Sequence, residues 1–207
     1  MAAHGRSALR DLFDESPTPH IAHPPRTHHR DFYVATDGSF REAGGGLGAV
    51  IETRDGTRVA RVATPDTPPD NNVAEYRALH LGLDVLAARA PPKANVGVLV
   101  DHDDLASNVN NAVLAAGHAN REPPRPYSVP PASTNHWRGI QARLIGFGDV
   151  RAARIASDQN PAHPLANAPD RYEHLTREPA RCVLPETPES TTHGYLPPSR
   201  ANRRAGD

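Results

Sequence analysis

The chain has 207 residues, of which 37% are hydrophobic and 22 are proline, which is room for one compact core with polar, disordered appendages. Its formal charge of −1 excludes a global attraction to nucleic acid, so any such site must be local. A single cysteine, Cys182, excludes an intramolecular disulfide and a multi-cysteine zinc site. No run reaches the ~18 apolar residues of a membrane span. The opening "MAAHGRSALRDLFDESP" lacks the roughly 7–15-residue apolar stretch of a secretory signal, so a cytoplasmic protein without a membrane partner is expected.

In chain order, residues 1–30 are polar and proline-rich and are expected to form a flexible arm, with a short helix at Ala8–Phe13. His20, His23, His28 and His29 fall there, at irregular spacing that fits a solvated tail better than a metal site. "DFYVATDG" is a strand running into a glycine turn, and "GGGLGAVIETRDG" is a second strand ending in an Asp-Gly hairpin signal. Gly44–Gly46 has no Lys-Ser/Thr after it and is expected as a strand-entry bend, not a phosphate loop. "TRVARVATP" alternates apolar and polar residues as a third strand. "DNNVAEYRALHLGLDVLAARA" is a helix that Asp70, Asn71 or Asn72 can cap. The nearly all-apolar "ANVGVLVDH" is a strand covered on both faces. A helix over "DDLASNVNNAVLAAGHA", a proline-rich loop, a helix over "HWRGIQARLIGFG" and a strand over "DVRAARIA" follow. "QNPAHPLANAP" opens a last helix, broken at Pro169, and residues 171–207 are again expected as a flexible tail. The order β-β-β-α-β-α-α-β-α implies an α/β fold: a mixed five-stranded sheet, three antiparallel strands and then parallel ones, flanked by helices over residues 31–170.

Four side chains stand at strand ends or helix starts, where α/β sheets bind ligands. Asp37 ends the first strand, Glu75 lies in the first turn of the first long helix, Asp101 ends the fourth strand and His163 opens the last helix. Each has an ordinary reading alone: a turn residue, a first-turn acid, a helix cap, a surface histidine. Their co-occurrence on this framework points instead to a metal site.

The phrases "TDGSF", "DNNVAEYRAL", "VLVDHDDL" and "NPAHPLAN", in this order, make the chain resemble the ribonuclease H family, type 1. The resemblance implies a ribonuclease-H-like domain that hydrolyses the RNA strand of RNA–DNA hybrids to 5′-phosphate and 3′-hydroxyl ends. It implies two divalent ions, Mg²⁺ or Mn²⁺, with Asp37 bridging them, Glu75 and Asp101 completing one and His163 the other. It also implies substrate contacts from backbone groups at Gly38 and Ser39 and from the side-chain amides of Asn71 and Asn72. His163 replaces the family's fourth aspartate, and an imidazole ligand favours Mn²⁺ over the oxygen-seeking Mg²⁺.

The family's basic hybrid-gripping segment is not evident. Arg121, Arg125 and Arg138 are candidate phosphate contacts, and Trp137 either stacks near substrate or packs the third helix. A monomer is expected. The alternatives are a non-catalytic nucleic-acid- or protein-binding module of the same fold, and a related nuclease with another substrate.

Overall fold

A computed structural model describes residues 7–19, 29–42, 44–116 and 126–172. The strands are β1 (Phe32–Ser39), β2 (Gly45–Thr53), β3 (Arg58–Asp66), β4 (Val96–Val100) and β5 (Val150–Arg154). The helices are α1 (Leu9–Glu15), α2 (Asn71–Ala87), α3 (Asp103–Ala116), α4 (Thr134–Gly146), α5 (His163–Asn167) and α6 (Pro169–Tyr172). The sheet runs β3-β2-β1-β4-β5. β2 pairs antiparallel with β1 and β3, while β4 lies parallel to both β1 and β5. This is the mixed sheet the element order implied.

The two faces of β1 carry different cores, as a period of two requires. Val34 joins Val96, Val98 and Val100 beneath α2, α3 and α4. Tyr33 and Ala35 join Leu99 and Ala153 on the opposite face, with Leu165 of α5. On that face α1 is docked: Leu9 and Phe13, four residues apart on one side of the helix, are fully buried there. Phe13 meets Tyr33 edge to face at 5.5 Å. The Glu52 carboxylate accepts from the Leu9 N–H at 2.9 Å and from Arg58, closing the start of α1. Residues 9–19, within the stretch read as an arm, therefore belong to the packed body. α5 has only five residues, and beside it α1 covers β1 and β4 while α6 lies over β2 and β3.

The Gly44–Gly46 stretch is the expected bend, with Gly44 at φ 107° before β2 begins. Trp137 is buried between Tyr76 and Tyr127, so it packs the core and does not stack on substrate. Arg138 is exposed, while Arg121, Arg125, His20, His23, His28 and Cys182 lie outside the described residues. His29 sits 3.7 Å from Asp14 beside α1. Arg171 and Tyr172 close α6, and the remainder of the expected tail is outside the described residues. Among the described residues no helix is long and apolar enough to cross a membrane.

Candidate metal centre

Asp37 lies near the end of β1, two residues beyond Ala35 on the same side of the strand. Glu75 reaches the same place from the first turns of α2. That approach depends on Gly38: a Cβ there would stand 2.2 Å from the Ala74 carbonyl carbon and 2.5 Å from the Glu75 nitrogen. Asp101 follows directly on β4, the parallel neighbour of β1. The three carboxylates each place an oxygen within 4.8 Å of the others. Among the described residues this is the one group of three or more metal-ligating side chains so assembled.

The electrostatics of that arrangement are unfavourable without a counter-charge. Burial, then the neighbouring Asp101, pushes the Asp37 carboxyl up to about 8. Burial likewise holds Glu75 well above the ordinary carboxylate range, with Asp101 and Asp37 adding to it and the Gly38 N–H opposing it. Asp37 Oδ2 and Glu75 Oε2 are buried and make no hydrogen bond. Such oxygens require a proton or a cation. Hard oxygen donors of negative charge fit a divalent cation of the Mg²⁺ or Mn²⁺ type.

The surrounding polar groups fix the carboxylates in place. Ser157, in the turn after β5, donates its hydroxyl to Asp101 Oδ2 at 2.7 Å. Asn160 donates to the Thr36 carbonyl at 2.9 Å and accepts from the Ala162 N–H at 3.0 Å, tying the entry of α5 to the strand that carries Asp37. His163 thereby stands with Nδ1 3.3 Å from Asp37 Oδ2, close enough for a charge pair but outside hydrogen-bond direction. Its side chain is 46% exposed, and it is not one of the three converging ligands. Asn167 lies one turn on, its Nδ2 3.1 Å from His163 Nε2 and its Oδ1 3.0 Å from an Arg41 guanidinium nitrogen. The four sequence candidates are therefore neighbours, three as a compact acidic group and His163 at its rim.

The candidate substrate contacts divide. Asp70 caps α2, its Oδ1 accepting from the Val73 N–H at 2.8 Å, so neither Asn71 nor Asn72 is needed as the cap and both are exposed. The Ser39 hydroxyl is engaged within the fold, donating to the Ala166 carbonyl at 2.6 Å and accepting from the Gly46 N–H. The cap of α3 is His102, whose Nδ1 accepts from the Leu105 N–H at 3.1 Å; Asp101 is thus free of that duty. Sequence reasoning missed Ser157, His102, Asn160 and Asn167 as site residues. Ser157 alone lay outside the quoted phrases: both asparagines fall inside "NPAHPLAN" and His102 inside "VLVDHDDL".

A mixed sheet in the order β3-β2-β1-β4-β5 with acidic groups at the edge shared by β1 and β4 is the ribonuclease-H-like fold. Solved structures agree. The N-terminal ribonuclease H domain of a Mycobacterium tuberculosis protein, fused to maltose-binding protein, is 24% identical with a TM-score of 0.52, over 70% of this chain and 96% of that one. Ribonuclease H1 from the halophilic archaeon Halobacterium salinarum is 21% identical with a TM-score of 0.51, over 66% of this chain and 95% of that one. A metagenomic ribonuclease H1 in complex with an RNA/DNA hybrid is 20% identical with a TM-score of 0.51, over 65% and 93%. At these identities the likeness is one of fold. No protein-family model and no curated protein matches the chain.

Proposed function

We propose that the chain is a metal-dependent endonuclease that hydrolyses the RNA strand of RNA–DNA hybrids, leaving 5′-phosphate and 3′-hydroxyl ends. The observation that carries this reading is the convergence of Asp37, Glu75 and Asp101 within 4.8 Å at the edge of a ribonuclease-H-like sheet. The two unpartnered oxygens among them are the natural ligands of divalent cations. Asp37, Glu75 and Asp101 would hold the cations, with His163 at the rim of the group beside Asp37. Divalent ions bound there supply Lewis acidity, lowering the pKa of a water and neutralising charge on the phosphate. Gly38 keeps α2 close enough for Glu75 to take part, and Ser157 turns Asp101 toward the group. Asn71 and Asn72, exposed beside Glu75 on α2, face the substrate. A hybrid is the substrate class that a related fold in complex with one makes the first to try.

The test is cleavage of a labelled hybrid in Mg²⁺ and in Mn²⁺ by the unsubstituted chain and by Asp37→Asn. Loss of a bridging ligand should lower the rate by more than about 100-fold, with Mn²⁺ supporting the parent better than Mg²⁺. Hybrid cleavage no greater than that of Asp37→Asn overturns the proposal and favours a binding module. The histidine at the fourth position is the feature that argues for that second reading.

A further inference from the structure

His102 has two hydrogen-bond partners that together fix its tautomer. Its Nδ1 accepts from the Leu105 N–H, so in the neutral ring the proton sits on Nε2. Nε2 lies 3.1 Å from Asn72 Oδ1 and therefore donates to it. The opposite amide orientation would set N–H against N–H, so the chain of bonds from α3 through the ring also sets the amide of Asn72. The ring is held from a third side by Tyr76, edge to face at 6.4 Å. His102 thus bridges the turn that carries Asp101 and the helix that carries Glu75. The Nδ2 of Asn72 is turned away from it, without a protein partner among the described residues, one helical turn before Glu75.

We propose that His102 is a positioning residue for substrate: it holds the Asn72 amide so that its N–H₂ group donates to an acceptor in the minor groove of the hybrid. This deepens the functional reading above and rests on it. Ribose 2′-hydroxyl oxygens, purine N3 and pyrimidine O2 are the acceptors lining that groove. An amide free to rotate would present its carbonyl half of the time; one fixed by His102 presents donors only.

The substitution that separates this role from helix capping is His102→Asn. Asparagine is a favoured cap and keeps the bond to Leu105, but its side chain is shorter than the imidazole and does not reach Asn72. The test is a double-mutant cycle in the full chain carrying Asp37→Asn to suppress turnover, with affinity for a short RNA–DNA hybrid read by fluorescence anisotropy. His102→Asn should weaken binding about three- to tenfold and leave the melting temperature within about 2 °C of the parent. Asn72→Ala should weaken binding at least as much, and adding His102→Asn to it should change nothing further. In the cleaving chain the same substitution should raise KM and leave kcat unaltered. Unchanged affinity in His102→Asn, or effects that multiply independently, overturns the positioning role. A failed cycle in a chain that cleaves hybrid overturns this inference alone; an intact cycle without cleavage in the unsubstituted chain overturns the catalytic reading alone.

Discussion

Gly38 shows how closely the acidic group depends on single atoms. One added methyl at that position would overlap the Ala74 backbone, which has no side-chain freedom with which to yield. Gly38→Ala should cost at least about 1–3 kcal/mol, read as a drop in the denaturant midpoint, and should move Glu75 out of the site, so hybrid cleavage falls with it. Ser157 gives the opposite case. It is exposed, and its known work is one hydrogen bond to Asp101. Ser157→Ala should leave stability within about 0.5 kcal/mol while weakening divalent-metal binding roughly 10-fold or more; calorimetric titration with Mn²⁺ would show unchanged affinity if the hydroxyl is idle. These residues also mark what a sequence can disclose. Asp37, Glu75 and Asp101 were legible because strand ends and a helix start bring them to one sheet edge by topology. Ser157 and His102 were not, because a single short side-chain bond across 56 or 30 residues leaves no periodicity or spacing to read.

At the scale of elements, the strands and the long helices were legible from alternation, Asp-Gly punctuation and the capping residues at the start of α2. α1 was legible as a short helix but not as part of the core. The prolines and histidines that flank it dilute the composition of residues 1–30, while two apolar side chains four apart do the packing. The partner that completes its docking, Glu52, is an acid on β2 that no pattern links to residue 9. Phe13→Ala should therefore cost about 3–5 kcal/mol, as a fully buried aromatic should, where a tail residue would cost almost nothing. Equilibrium denaturation distinguishes the two. The effect should appear as lost stability of the whole domain, since Phe13 packs on Tyr33 and would lie within 3.2 Å of a Cβ at Gly97, on the two central parallel strands.

For the whole molecule, an acid-side liability lies between α2 and α4. His80 and His136 are buried there with their Nδ1 atoms 3.2 Å apart, and Gly139 makes room for the His80 ring. Burial, then the charge of His80, lowers His136 to about 4. Burial also lowers His80, with Asp84 opposing and Arg143 reinforcing the shift. Both folded values lie below the ordinary 6.5, so the unfolded chain binds more protons in that interval. The stability this pair contributes is full above about pH 6.5 and falls as the pH drops toward 4, by on the order of 3 kcal/mol for His136 alone, while the raised Asp37 and Glu75 carboxyls act in the opposite sense in the metal-free chain. Urea melts from pH 7 to pH 4.5 should show the parent losing stability relative to His136→Gln as the pH falls; an equal slope in that variant would place the liability elsewhere. The sheet's outer margin has its own consequence. β5 is an edge strand, and its Arg154 N–H is taken by the carbonyl of Pro17, just past α1. A proline accepts through its carbonyl but brings no N–H with which to extend the ladder. The segment after α1 thus ends the sheet at this point, denying a second molecule a place to add a strand and guarding the chain against edge-to-edge aggregation.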